Sequence, residues 1–137
     1  MVGIFAGLSL YTFIYARGFS YFSNDPEACK NCHIMREHFD AWNRSSHHAA
    51  ASCNDCHTPH NPAGKYTVKA VNGWNHSVAF TSGDFQEPLR IHEMNRNVAL
   101  DNCRYCHADM VSRIPETREG SRKSCLKCHS NVGHPNM

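Results

Sequence analysis

Two features are scarce in this sequence: cysteine outside one repeated motif, and segments typical of β-strands. All eight cysteines fall in four Cys-x-x-Cys pairs, and such closely spaced pairs are a poor way to close the long loops of a disulfide framework. Runs of alternating β-branched and aromatic residues are nearly absent, which argues against a sheet. We therefore predict a fold that is mainly α-helical with much loop.

Charged side chains are absent from the first sixteen residues, MVGIFAGLSLYTFIYA. The segment also lacks the basic stretch and the Ala-x-Ala-like site of a cleaved signal peptide. A helix continued past Arg17 to Phe22 would be about 33 Å long, close to the hydrocarbon thickness of a bilayer. We therefore predict that residues 1–22 form one uncleaved transmembrane anchor. Because the apolar run begins at the first residue, we expect a trimmed N-terminus.

The pattern Cys-x-x-Cys-His occurs four times and uses every cysteine. It is the attachment sequence for c-type haem, in which two thiols bind one porphyrin and the histidine can bind its iron. Zinc sites also use Cys-x-x-Cys pairs, but zinc does not require a histidine after each pair. We predict four covalently bound haem c groups, attached at Cys29 and Cys32, at Cys53 and Cys56, at Cys103 and Cys106, and at Cys125 and Cys128.

Four porphyrins are a large share of any interior built from 137 residues. So short a chain cannot also form a separate apolar core, so we expect the haems to be the core and to stack closely. Close stacking suits electron hopping, which predicts an electron carrier. Because haem c is attached outside the bacterial cytoplasm, we place residues 23–137 in the periplasm as one domain, on the bacterial inner membrane.

The spacing of the motifs and of the turn signals predicts the organisation of this domain. Motif starts are 24, 50 and 22 residues apart, which indicates two dihaem halves. Asp25-Pro26 is typical of a helix start, and we expect that helix to reach about Trp42. A polar bend over 45–52 should follow. Further helices are predicted at about 63–80, ended by the turn residues 81–84, and at about 88–107.

Histidine is abundant, with eleven copies, of which four belong to the motifs. We expect two to four of the other seven to be distal haem ligands, and we treat His38, His60 and His92 as surface or propionate contacts. Met35 follows His33 by two residues, about 200° around a helix, so both cannot approach one iron from the same side. Either Met35 replaces His33 as a ligand or it binds no iron.

Three segments carry a resemblance to a known family: CKNCHIM at 29–35, SCNDCHTPHN at 52–61 and KAVNGWNHSVAF at 69–80. With the short apolar N-terminus, the chain resembles the NapC/NirT family of membrane tetrahaem quinol dehydrogenases. The resemblance implies oxidation of menaquinol and transfer of its electrons to a periplasmic reductase. In the branch it resembles most, that partner is the pentahaem catalytic subunit of cytochrome c nitrite reductase, which reduces nitrite to ammonium.

The same resemblance implies a set of iron ligands. Met35 is expected at the first haem, where a thioether ligand raises the potential. The motif histidines of the other three haems are His57, His107 and His129. The distal ligands implied are His134 for the second haem and His48 for the third, with His47 as the adjacent competitor. A lysine of the catalytic partner is implied for the fourth haem.

The predicted helix at 63–80 carries a candidate quinol site. Lys65, Lys69 and His76 are spaced by four and seven residues and share one face. The resemblance implies that Lys69 contacts the quinol, whereas some relatives have an acidic residue in place of His76. A histidine can accept a quinol proton near neutral pH, or it can bind the first iron as a sixth ligand. We favour the first role and predict Lys69 and His76 as catalytic residues.

Three other functions compete with this prediction. A quinol dehydrogenase serving several periplasmic reductases is the alternative within the family. A soluble electron shuttle would not need the apolar N-terminus. A free-standing haem reductase would need a compact group of cationic and proton-donating residues beside an open iron, and the sequence has no such group. We therefore predict an electron-transfer subunit and not the nitrite-reducing one.

Overall fold

The computed structural model describes residues 1–114 and 124–134, and all regular secondary structure within them is helical. This confirms the prediction of a mainly α-helical fold. Two short 3-10 helices, Gly18–Phe22 and His33–Met35, accompany the α-helices. The α-helices are α1 (Val2–Tyr15), α2 (Pro26–Cys29), α3 (Arg36–Asn43), α4 (Cys53–His57), α5 (Pro62–Ser82), α6 (Glu93–Cys106), α7 (Ala108–Val111) and α8 (Cys125–Cys128).

The sequence predicted one continuous helix to Phe22, but the helix of the N-terminal segment is interrupted. α1 ends at Tyr15, Arg17 adopts a left-handed conformation with φ 52°, and the 3-10 helix Gly18–Phe22 packs back against α1. The reversal depends on Gly18, because a Cβ there would overlap the Phe13 ring. Across the part of the chain that the structure describes, no helix has both the length and the apolar character needed to cross a membrane.

The helix predicted from Pro26 to about Trp42 is divided at the first motif. Asp25 caps it as expected, since its Oδ1 accepts a hydrogen bond of 2.9 Å from the Glu27 amide. α2 ends at Cys29, and Cys32 is extended, with φ −85° and ψ 122°. The chain resumes as a 3-10 turn and then α3. The motif therefore occupies a break between helices.

The two longer helices agree with the sequence to different degrees. α5 extends the predicted 63–80 by one or two residues at each end, between an Asn61 cap and Gly83 at φ 70°. α6 begins at Glu93 and not at Pro88, because Pro88 lies in a bend and the chain stays extended up to His92. An acidic residue such as Glu93 also favours the first turn of a helix.

The centre of the molecule is polar and very small. Among the described residues the buried apolar side chains are Val68 and Leu100, at 7% and 8% exposure. Buried Asn102 donates hydrogen bonds from Nδ2 to the carbonyl oxygens of Cys56, at 3.0 Å, and Thr58, at 2.9 Å. This contact joins α6 to α4, and so the third motif to the second. The interpretation as two dihaem halves stays a prediction.

Candidate haem and quinol sites

Short helices or helix ends carry all four cysteine pairs, and all eight thiols are free. A hydrogen bond with the Cys53 thiol lowers the pKa of Cys29 to about 7, so the first and second motifs touch. Burial raises the pKa of Cys56, and the nearby Cys103 raises it further. Burial and then the neighbouring Cys125 raise the pKa of Cys103. The four motifs therefore follow one another in space in the order of the sequence.

The second motif brings together the two histidines predicted for its haem. The rings of His57 and His134 are nearly parallel, at 7°, with centroids 6.0 Å apart. Metal–imidazole bonds are about 2 Å long, so two rings on opposite sides of one iron have centroids about 6 Å apart. Burial, with smaller effects of the nearby His134 and His38, lowers the pKa of His57 to about 4, so the ring is neutral as a ligand must be. These residues fit a haem iron between them.

The third motif is approached by the competitor His47. Its ring lies 6.1 Å from that of His107, at 74°, a separation that also fits one iron. His47 Nδ1 donates to the Val132 carbonyl oxygen at 3.1 Å, which leaves Nε2 free as a ligand atom. His48 is exposed, and its ring packs edge-on against Trp42 with centroids 4.9 Å apart. The structure therefore brings His47, and not His48, to His107.

The first and fourth motifs differ in how they present their histidines. In the 3-10 turn at the first motif, Met35 is half-buried and His33 is exposed. Residues two apart in such a helix point about 240° apart, so their side chains face different surroundings. His129 follows α8 and is exposed. Met35 is therefore the inward residue at the first motif, and His129 faces outward at the fourth.

His38 lies closer to the haem residues than its assignment as a surface or propionate contact implied. Its ring meets that of His134 edge-on at 4.8 Å. Within the described residues, the buried Nδ1 atoms of His38 and His134 have no hydrogen-bond partner. Burial lowers the pKa of His38, as does the neighbouring His134. No sequence motif marks this position, which only the packing of α3 brings to the second haem site.

The predicted quinol residues form one continuous face of α5, but residues 21–23 of the N-terminal segment contact that face. Lys69 Nζ donates to the carbonyl oxygens of Tyr21 and Ser23, each at 2.8 Å. His76 Nδ1 shares a 2.8 Å hydrogen bond with the Tyr21 hydroxyl. Between them, Gly73 leaves room for the Tyr21 ring, whose Cε1 would be 3.3 Å from an added Cβ. We call Lys69, Gly73 and His76 the α5 clasp.

The clasp leaves a limited set of atoms for chemistry. An ammonium group has three protons, and Lys69 uses two of them on backbone carbonyls. Burial lowers its pKa, as does the nearby positive charge of Lys65. Burial, with a smaller effect of His92, lowers the pKa of His76, so this ring is neutral near pH 7. Nε2 of His76 and one proton of Lys69 therefore remain for a ligand.

Tyr21 is the residue of this site that the sequence analysis missed. Nothing in the sequence links it to His76, 55 residues later. The reversal at Arg17 and Gly18 carries it onto α5. The sequence pattern that could have indicated this contact is a glycine, Gly73, between Lys69 and His76 on one helix face, because glycine permits the close approach of a neighbouring residue.

Comparison with known proteins agrees with the predicted family. The model of the NapC/NirT cytochrome c family, N-terminal region, matches residues 1–137. The cytochrome c-type protein NrfH of Wolinella succinogenes is 39% identical over 93% of this chain and 78% of its own length. The cytochrome c nitrite reductase subunit NrfH of Nitratidesulfovibrio vulgaris is 33% identical over 80% of this chain and 67% of its own length.

A solved structure is also similar over nearly the whole chain. It is a crystal structure of a cytochrome c nitrite reductase NrfHA complex bound to the inhibitor HQNO. The matching chain has a TM-score of 0.70 and 29% identity, and the match covers 99% of this chain and 91% of that one. Haem-attachment motifs, paired histidine rings and these similarities agree, and the chain belongs to the NapC/NirT cytochrome c family.

Proposed function

We propose that this protein oxidises menaquinol at a membrane and passes the electrons through four haem c groups to a periplasmic pentahaem nitrite reductase. The observation that carries the proposal is the spatial order of the motifs. α2 lies beside α4, α4 beside α6 and α6 beside α8, and these helices carry residues of the first, second, third and fourth motifs in turn. The α5 clasp holds the segment just before the first motif, and exposed His129 lies at the other end. One end is therefore suited to accept electrons and the other to deliver them.

The apolar N-terminus supports attachment to a membrane. No residue of α1 is buried, and its exposed side chains are almost all apolar. A helix that is apolar on every side needs an apolar environment on every side. We propose that residues 1–22 supply the anchor and that residues 23–137 lie in the periplasm, where haem c is attached.

For the haem ligands we propose Met35 at the first haem, His57 with His134 at the second and His107 with His47 at the third. His47 replaces His48 in this proposal because only its ring lies beside His107 and has its Nδ1 hydrogen-bonded to a carbonyl. The exposed His129 suits the fourth haem, whose other side is open to a ligand from the partner. When bound, the haems supply one-electron acceptors; the chain supplies ligands and spacing.

At the quinol site, we propose that His76 accepts a proton from a quinol hydroxyl and that Lys69 orients the quinol oxygen with its remaining proton. His76 is neutral near pH 7, so its Nε2 can act as the base. Lys69 keeps its place because two backbone carbonyls bind it. A sixth-ligand role for His76 would use the same nitrogen, so the two roles exclude each other.

Co-purification followed by a quinol assay tests this function. A tagged full-length chain, extracted from membranes, should bring down a pentahaem nitrite reductase in a constant ratio. A menaquinol analogue should then reduce the haems of the complex and support nitrite reduction to ammonium. Recovery of several unrelated reductases, with none in constant ratio, would instead identify the broader quinol dehydrogenase. Haem reduction by dithionite but not by the quinol would contradict the quinol site.

A further inference from the structure

We propose that Tyr21 is a positioning residue of the quinol site, which sets the orientation of His76 through the hydrogen bond between its hydroxyl and His76 Nδ1. The bond is 2.8 Å long, and it connects the segment before the first motif to α5. This inference rests on the proposed function, since it concerns how the quinol base is prepared.

The hydrogen-bonding capacity of the imidazole makes the partner of Nδ1 decisive. A neutral ring carries one N–H and one lone pair, on different nitrogens. If Nδ1–H donates to the Tyr21 oxygen, Nε2 keeps its lone pair and can accept a quinol proton. If Nε2 carries the proton instead, His76 cannot act as a base. The Tyr21 hydroxyl can pair with Nδ1 in either tautomer, so it holds the ring in one orientation; in the tautomer with Nδ1–H its oxygen accepts the bond and Nε2 points away with its lone pair.

The same bond is kept after proton transfer. One quinol proton moves to Nε2, and the resulting imidazolium still donates Nδ1–H to the Tyr21 oxygen. The accompanying electron passes to the acceptor at the first motif that the proposed function already requires. His76 then releases the proton to water and returns to its starting state for the second proton of the quinol. Tyr21 keeps its own hydroxyl proton throughout.

Tyr21 is held by more than its hydroxyl, which is what a positioning role requires. The clasp binds its backbone through Lys69, and its ring lies against Gly73. A larger residue at 73 would push the ring, and with it the hydroxyl, away from α5. The orientation of His76 therefore depends on contacts at both ends of Tyr21.

Several titratable groups face this pair and set the background for its pH dependence. His92 faces His76 from the segment before α6. Lys69 approaches Tyr21 from α5, and the Cys29 and Cys32 sulfurs also lie near Tyr21 but do not titrate once they are bound to haem. Removing the Tyr21 hydroxyl leaves all of these neighbours in place. A change in the pH profile of the variant would therefore report the effect of the hydroxyl on His76.

The substitution Tyr21→Phe removes the hydroxyl and keeps the ring against Gly73. In the full-length haem-loaded protein, we expect kcat for haem reduction by a menaquinol analogue to fall about tenfold, a fraction of the roughly 10²- to 10⁴-fold that general base catalysis contributes. KM should stay within about twofold, because quinol contacts are unchanged. The acid limb of the pH profile should move, and dithionite should still reduce every haem.

The matched control is Tyr66→Phe, which removes an exposed tyrosine hydroxyl on α5 itself and should change neither kcat nor the pH profile. The double variant Tyr21→Phe with His76→Ala should be no slower than His76→Ala alone, since Tyr21 acts through His76. If His76→Ala slows the reaction while Tyr21→Phe leaves kcat and pH profile unchanged, this inference is wrong and the proposed site stands. If His76→Ala is also without effect, both are wrong.

Discussion

The haem-ligand region and the α5 clasp are held together in different ways. Around the motifs, short helices meet through paired histidine rings and through the buried Leu100 and Asn102 of α6. At the clasp, a 21-residue helix holds the N-terminal segment through hydrogen bonds made entirely by the polypeptide. We predict that haem completes the packing of the first region, whereas the contacts of the second are made by the chain alone. Substitutions in the two should therefore have different readouts.

The largest loss of stability is expected from Asn102→Ala, in the haem-ligand region. The change leaves the carbonyl oxygens of Cys56 and Thr58 without their donor in a buried position. Each unsatisfied buried group costs about 1–3 kcal/mol, so the free energy of unfolding should fall by about 2–5 kcal/mol. Thermal unfolding of the haem-loaded protein measures this. Asn97→Ala, at an exposed position of α6, should change the free energy of unfolding by no more than about 0.5 kcal/mol. Equal effects of the two substitutions would show that the hydrogen bonds of Asn102 do not hold α6 to α4.

Ligand substitutions should each alter one haem and leave the fold in place. His134→Ala should produce a high-spin signal from the second haem in the oxidised protein, because His57 would lose the ring opposite to it. Electron paramagnetic resonance at low temperature measures the signal. A spectrum that stays fully low-spin would show that another residue, with His38 the nearest candidate, binds the iron.

A comparison of two neighbouring histidines sharpens the assignment of the third haem. His47→Ala should give a high-spin haem, because its ring lies beside His107. His48→Ala should keep the low-spin spectrum, since that ring only packs against Trp42 on the surface. The opposite result would restore His48 as the ligand and would mean that the 45–52 turn rearranges around the haem.

At the clasp, Lys69→Met keeps the length of the side chain and removes its ammonium group. Two charge-assisted hydrogen bonds to carbonyl oxygens are lost, so the free energy of unfolding should fall by about 1–2 kcal/mol at this half-exposed position. Haem reduction by a menaquinol analogue should slow, while dithionite reduction is unchanged. Lys127→Met, on α8, removes the same charge from a residue outside the clasp and serves as the control. Equal quinol rates in both variants would place the quinol elsewhere.

The smallest effect is expected from Gly73→Ala. Alanine in a helix is more stable than glycine by about 0.5–1 kcal/mol, and the added Cβ would meet Tyr21 at 3.3 Å, a contact that moves the ring by only a few tenths of an ångström. The gain in helix stability and the cost of the contact nearly cancel in the free energy of unfolding. The rate of haem reduction by a menaquinol analogue should nevertheless fall about twofold, because the Tyr21 hydroxyl shifts relative to His76. Gly7→Ala, where no atom lies within 4 Å, should gain the helix term without a change in rate.

How well each part could be predicted depended on the range of the interactions involved. The Asp25 cap and the Asn61–Gly83 limits of α5 rest on neighbours in the chain, and the sequence analysis placed them closely. The end of α1 at Tyr15 was not foreseen, because it follows from the Phe13 ring meeting Gly18. The start of α6 was placed five residues too early, because proline at 88 fits a helix start and a bend equally well.

The sequence by itself determined the chemistry of this protein. Four Cys-x-x-Cys-His motifs predict where haem c is attached, and the spacing of Lys69 and His76 places both on one face of one helix, because both patterns are local properties of the chain. Only the tertiary structure places the His47 ring beside His107 and the Tyr21 hydroxyl beside His76. Which of two adjacent histidines approaches His107, and which residue meets another 55 positions away, depends on the path of the backbone. Long-range packing sets that path, and no local sequence pattern encodes it.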